Sequence, residues 1–187
     1  MNDLTPGFTS PLEAQACFRA ILGAFSSPGT AVELPAALTP PPGLSTAAAV
    51  ALLTLADATT PIAQPDAEAA RNWLVFHTGA RVVPPAEAMF CVARQRPALA
   101  ALPQGTDEAP EDGATLILDC DGLVGEASFR LSGPGLEHPI TVHLPLDAAF
   151  LQEWRAQALA APRGVDVLLC AGASLLALPR SLTIEEA

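Results

Sequence analysis

Side chains suited to chemistry are few and scattered in this 187-residue chain. His77, in Phe76-His77-Thr78-Gly79, could act as a base or metal ligand, with Asp57 orienting it for an independent hydrolytic reaction. Its place at the end of a predicted helix equally suits capping of the last carbonyls. His138 and His143 bracket a predicted strand at odd spacing, so they should face opposite sides of a sheet and cannot share one metal. Arg180 can pair with a carboxylate such as Asp57 or Asp166, or it can face a phosphate-like anion that Ser26 and Gly29 help to hold. A G-x-S-x-G serine elbow is absent. In Ser132-Gly133-Pro134-Gly135, Pro134 removes an N–H donor, so the stretch reads as a turn and not as an anion loop. The ligand-binding candidates are therefore Arg180, Ser26, Gly29, His77 and Asp57, and no catalytic residue, metal or cofactor is assigned.

All nine basic residues are arginine, and lysine is absent. A Schiff base with pyridoxal phosphate needs a lysine amine, and a Walker-type phosphate loop ends in Gly-Lys-Ser/Thr, so both are excluded. A net charge of −11 repels nucleic acid and anionic membrane, and positive charge clusters nowhere beyond Arg94 and Arg96. Cys17, Cys91, Cys120 and Cys170 lie far apart with no C-x-x-C pair, which predicts four buried small hydrophobes. Met1 to Pro11 is turn-rich and unlike a leader, and the apolar run Ala47 to Ala56 is too short to span a bilayer. The expectation is a cytoplasmic protein.

The elements that must hold these residues are legible from caps and breakers. Ser10-Pro11-Leu12-Glu13 opens a helix with a capping box, and a stripe of Leu12, Cys17, Phe18, Ile21, Leu22 and Phe25 follows, ending at Ser26-Ser27-Pro28-Gly29. Ser45 caps a second helix through Ala56 that is apolar nearly all round, so it is either core or a partner interface. A third helix begins at Pro65-Asp66 and stops at Gly79, and a fourth starts at Asp147. Strands are predicted at Val32–Leu34, Met89–Val92, Thr115–Leu118, Ala127–Leu131, Ile140–His143 and Val165–Cys170, with Leu175–Leu178 as a hairpin partner for the last. A short helix is expected at Ala98–Leu102 and an acidic loop at Gln104–Gly113, while Glu185 and Glu186 read as a solvated tail. The fold class is α/β, one domain over residues 1–187, with a mixed sheet flanked by helices.

Several of these segments, in order, resemble one family. They are Phe18-Arg19-x-Ile21-Leu22-x-Ala24-Phe25-Ser26-x-Pro28-Gly29, Leu52-Leu53-Thr54-Leu55-Ala56-Asp57-x-x-Thr60-Pro61, Phe76-His77-Thr78, and Gly113-Ala114-Thr115-Leu116-Ile117-Leu118. Leu131-Ser132-Gly133-Pro134-Gly135, Gly164-Val165-Asp166 and Leu178-Pro179-Arg180 complete the series, and Ser181-Leu182-Thr183 departs from the family's threonine-rich ending. The chain thus resembles the phosphonate metabolism protein H family, whose members are components of the phosphonate carbon–phosphorus lyase core complex. That resemblance implies a non-catalytic subunit in phosphonate catabolism, partnering the G, I and J subunits and forming a homodimer in isolation. The complex it implies makes a ribose 1-methylphosphonate 5-triphosphate from ATP and methylphosphonate, before a radical step on the J component breaks the carbon–phosphorus bond. It further implies a fold like the large domain of pyridoxal-phosphate transferases without the cofactor site. The alternative expectation is a small-molecule module binding phosphonate or nucleotide phosphate.

Overall fold

The computed structural model describes residues 5–63 and 67–187. In chain order its elements are α1 (Pro11–Ser26), β1 (Val32–Glu33), α2 (Thr46–Leu55), β2 (Pro61–Ala63), α3 (Glu68–Thr78), β3 (Arg81–Val82) and β4 (Phe90–Ala93). The second half adds β5 (Thr115–Asp119), β6 (Ala127–Ser132), β7 (Ile140–Leu144), α4 (Ala148–Ala158), β8 (Asp166–Ala171), β9 (Ser174–Leu178) and β10 (Thr183–Glu186). The predicted start of the third helix at Pro65-Asp66 lies outside the described residues.

Seven strands form the main sheet in the order β1-β9-β8-β5-β4-β2-β3. From β8 to β3 the neighbours run parallel, whereas β9 returns antiparallel to β8 through the tight Gly172 turn and β1 adds antiparallel to β9. Strands β5 and β8 are buried on both faces, which explains their continuous apolar runs. Helices α1, α2 and α3 cover one face. The other face carries α4 and a separate three-stranded antiparallel sheet, β10-β6-β7. The sequence pattern predicts helical cover alone. The small sheet instead gives the alternating β6 a buried side, Phe129 and Leu131, packed against the core. The tail is its third strand, with Glu185 and Glu186 exposed but their backbones paired to β6.

Local signals account for the helix ends. Ser10 Oγ accepts the Glu13 N–H at 3.2 Å, Ser45 Oγ that of Ala48 at 3.2 Å, and Asp147 Oδ1 that of Phe150 at 2.7 Å. Gly79 closes α3 in the left-handed region. The capping box at α1 is displaced by one residue, because the Glu13 carboxylate accepts from Thr9 N–H and Oγ1, both at 2.8 Å, and from Ala37 N–H at 3.2 Å. The predicted α1 stripe divides: Cys17 and Ile21 enter the core, whereas Leu12, Phe18 and Leu22 are exposed. Core burial there follows Cys17, Ile21 and Ala24 on one side of the helix.

Helix α2 resolves the choice between core and interface. Ala47 through Leu52 are fully buried, and α2 touches α1, α3, β5, β8 and β9. Its small side chains allow that close approach on every side. Among the described residues no helix is long and apolar enough to cross a membrane.

Because Ala48 has no exposed surface, Ala48→Leu should overpack this centre. Urea unfolding should then report a loss of about 1–3 kcal/mol at unchanged m-value. An unaltered midpoint would mean that α2 is not core.

Candidate functional site

The sequence-selected residues occupy separate places. Arg180 follows β9 and pairs with Asp166 at the start of β8: Nε and Nη2 donate to Oδ2 at 3.1 and 2.6 Å, while the Arg180 N–H donates to Oδ1 at 2.7 Å. Its Nη1 donates to the Pro110 carbonyl at 2.6 Å and its Nη2 to that of Gly113 at 3.5 Å. Four of the five guanidinium N–H groups are thus engaged, so Arg180 pairs with a carboxylate and anchors the acidic loop against the sheet. Ser26 Oγ donates back to Leu22 O at 2.8 Å, within its own helix. The Gly29 N–H donates to Ala177 O at 3.2 Å, and its Cα lies under Leu131 and Ile140.

His77 Nε2 donates to Thr5 O at 3.0 Å, and Trp73 Nε1 donates to the same carbonyl at 2.6 Å. The imidazole therefore fastens the chain before α1 to α3 and does not cap its own helix. Asp57 closes the turn from α2 to β2, accepting from Thr59 N–H at 2.8 Å, Thr59 Oγ1 at 2.7 Å and Thr60 Oγ1 at 3.0 Å. These bonds, led by the Thr59 hydroxyl, hold its carboxyl below the usual value. Among the described residues no hydrogen bond or ion pair joins Asp57 to His77, or any two of the candidate residues. His138 precedes β7, and His143 sits on its exposed side.

The thiols are quiet. Burial pushes Cys91 and Cys120 up to about 11, and Cys170 well above the ordinary value. A thiol so raised carries little thiolate at neutral pH and is a poor nucleophile. Cys120 is only half-buried, in contrast to the expected four buried cysteines, and its thiol lies 3.5 Å from Leu118 O.

Chemistry collects instead at the carboxyl ends of the parallel strands, away from the five ligand-binding candidates and around Arg94 and Arg96, the one cluster of positive charge. Arg94 follows β4 and is half exposed; it pairs with the exposed Asp121, and its Nη1 lies 4.0 Å from Asp119 Oδ2. Asp119 ends β5 with its side chain only 1% exposed. Its Oδ2 accepts the Ser45 N–H at 2.9 Å, tying the α2 cap to the sheet. Its Oδ1 is buried and has no hydrogen-bond partner among the described residues. A cavity of about 630 Å³ opens between β2 and β4, walled by Gly43, Ala63, Ala67, Ala93, Arg94 and Gln95 among others. A second cavity of about 540 Å³ shares Arg94 but is also lined by Asp121 and Asp147. Beside it Arg96 Nη1 donates to Glu153 Oε2 at 2.9 Å, and the same oxygen takes the Leu99 N–H at 2.6 Å. The available signal is positional: a charged residue within two positions of the end of a predicted strand, Arg94 after Val92 and Asp119 after Leu118, marks the edge of an α/β sheet where ligands bind.

Comparison with known proteins bears on the whole chain. The family model described as bacterial phosphonate metabolism protein (PhnH) matches residues 6–185. The chain is 34% identical over 187 residues to the alpha-D-ribose 1-methylphosphonate 5-triphosphate synthase subunit PhnH of Rhizobium meliloti (strain 1021), covering 95% of this chain and 94% of that one. It is 31% identical over 176 residues to the putative C-P lyase subunit protein HtxG of Stutzerimonas stutzeri, covering 91% and 85% respectively.

Removing the Arg180 hub should be costly. Arg180→Ala leaves Asp166 without its cation and the Pro110 carbonyl without its donor, so denaturant unfolding should show a loss of about 2–4 kcal/mol. Native stability in that variant would return Arg180 to the ligand-facing residues. Glu153 makes a pH-dependent case. Burial pushes its carboxyl up, but the Arg96 and Leu99 hydrogen bonds outweigh this and hold it below the ordinary value of 4.5. Its folded form therefore binds a proton less readily than the unfolded chain does. The resulting stability is complete above the unfolded pKa and is lost as pH falls through the folded one. The deficit of Glu153→Gln, measured by urea unfolding, should be largest at neutral pH and close below about pH 4.5. A pH-independent deficit would contradict this.

Proposed function

The chain belongs to the bacterial phosphonate metabolism protein (PhnH) family, and on that premise we propose that it is a non-catalytic subunit of a carbon–phosphorus lyase core complex in phosphonate catabolism. The observation that carries the reading is identity along almost the whole length to a relative named as a subunit of a ribose 1-methylphosphonate 5-triphosphate synthase. In this reading residues 1–187 act as one unit in the cytoplasm, supporting the step that joins ATP and methylphosphonate, with the G, I and J subunits as partners. A homodimer in isolation and a fold resembling the large domain of pyridoxal-phosphate transferases without the cofactor site belong to the same proposal.

Two physical features support a subunit over a self-contained enzyme. Arg180, Ser26, His77 and Asp57 each make side-chain hydrogen bonds within the protein and not to one another. On α1, Phe18 and Leu22 stand one helical turn apart and are 48% and 55% exposed, an uncovered apolar ridge of the kind that partner proteins cover.

The test is co-purification of this chain with its G, I and J counterparts, read together with ATP-dependent consumption of methylphosphonate. Omission of the chain should abolish activity or reduce it at least about tenfold, and Phe18→Asp with Leu22→Asp should weaken capture without lowering the melting temperature. A G–I–J complex with full activity in the absence of the chain would refute the proposal.

A further inference from the structure

The connections on either side of the cavity leave the sheet in opposite directions. From β2 the chain runs through α3 to β3, on the side away from β4 in the sheet order. Helix α3 packs its Ala70, Trp73 and Leu74 into the core on one face. From β4 the chain runs the other way to β5, and the intervening Leu99 and Leu102 pack on the opposite face. Strands β2 and β4 are adjacent and parallel, pairing Ile62 with Phe90 and Ala63 with Cys91. Splayed connections of this kind leave a crevice beyond the carboxyl ends of the two strands, the place where open α/β sheets bind ligands. The cavity of about 630 Å³ lies there, within the range that holds a small organic molecule.

Its walls suit an anion. Arg94 is the only ionisable cation or carboxylate among its described lining residues, in a chain whose net charge is −11. The side walls are small: Gly43, with φ of +95°, brings the loop before α2 so close to Ala67 that a Cβ at Gly43 would lie 2.5 Å from that methyl. Ala67, the N-cap of α3, also lines the crevice, and Glu68 stands in the first turn of that helix. Arg94 Nη1 lies 4.0 Å from the buried Asp119 carboxylate, and its Nη2 pairs with Asp121, whose side chain is 94% exposed. An exposed pair of this kind is weak and can exchange for a ligand anion. Beside the guanidinium, the buried Asp119 holds Oδ1 without a hydrogen-bond partner among the described residues.

We infer that the crevice between β2 and β4 is a binding site for a small phosphoryl or phosphonyl anion, which the Arg94 guanidinium holds by exchanging its exposed Asp121 partner for the ligand. This adds a ligand site to the assembly role and does not rest on it. A charge-assisted fork to phosphate or phosphonate oxygens is the recognition that an arginine supplies best.

Calorimetric titration of the full chain with inorganic phosphate, methylphosphonate and ATP tests the inference. At least one of them should bind saturably at one site, and Arg94→Gln should weaken that binding at least about tenfold. Arg163→Gln, which removes an exposed arginine paired with Asp107 elsewhere, should change it less than about twofold. Equal melting temperatures of the variants would show that both are folded, since Arg94 and Arg163 side chains are 51% and 45% exposed. Absence of saturable binding by all three probes, or equal weakening by both substitutions, would overturn the inference. Either result could accompany normal assembly with the G, I and J partners, so the two proposals fail independently.

Discussion

Burial of α2 on every side is the constraint from which the remaining architecture follows. A helix hemmed in by α1, α3 and three strands of the sheet cannot carry large side chains throughout, and Ala47-Ala48-Ala49 with Ala51 meets that condition. Its amino end must then be satisfied without water. Ser45 caps it, the Ala47 N–H donates to Gly172 O at 2.8 Å, and the Ser45 N–H itself goes to Asp119. A buried carboxylate at the end of β5 is thereby a consequence of how α2 docks. The same docking fixes Gly43, two residues before the cap, as a wall of the crevice.

Arg180 does comparable work at the opposite end of the sheet. Asp166 begins β8, Arg180 follows β9, and Gly113 precedes β5, so one guanidinium joins the amino end of two parallel strands to the end of the antiparallel one. The division is physically coherent. At the amino ends an arginine is mostly enclosed and spends four of its five guanidinium N–H groups on the protein, which stabilises the sheet. At the carboxyl ends Arg94 is half exposed, between the buried Asp119 and the solvated Asp121, and its exposed pair is the one a ligand can replace.

Much of this is legible in the residues, and the failures have a pattern. Caps at Ser10, Ser45 and Asp147 and the stop at Gly79 are short-range hydrogen-bonding signals, so they locate the helices well. Strands β5 and β8 are long and apolar enough to stand out. Strands β2 and β3 span 3 and 2 residues, too short to display a period, and their loss conceals the adjacency that creates the crevice. The tail strand β10 reads as a solvated acidic end because its side chains are mostly exposed, and only its backbone pairing reveals it. Among candidate site residues, Arg180 and Asp166 are recognisable as a possible pair from their types alone. Arg94 carries no motif, because what distinguishes it is position after a strand, and that has meaning only once the neighbouring strand is known.

The chemistry that remains free is therefore narrow. Lysine is absent, the buried thiols are pushed away from their ionised form, and His77 and Asp57 are tied into separate local bonds. Each of those groups, had it been free in a cleft, would have argued for covalent or acid–base work by this chain alone. Among the described residues, what the fold leaves least committed is a half-exposed guanidinium beside a cavity, with an unpartnered carboxylate oxygen near it. Such a set can hold and orient an anion but brings no poised nucleophile to attack it. A chain built this way suits a role in which it contributes binding and shape, while the bond-making groups stand on another protein.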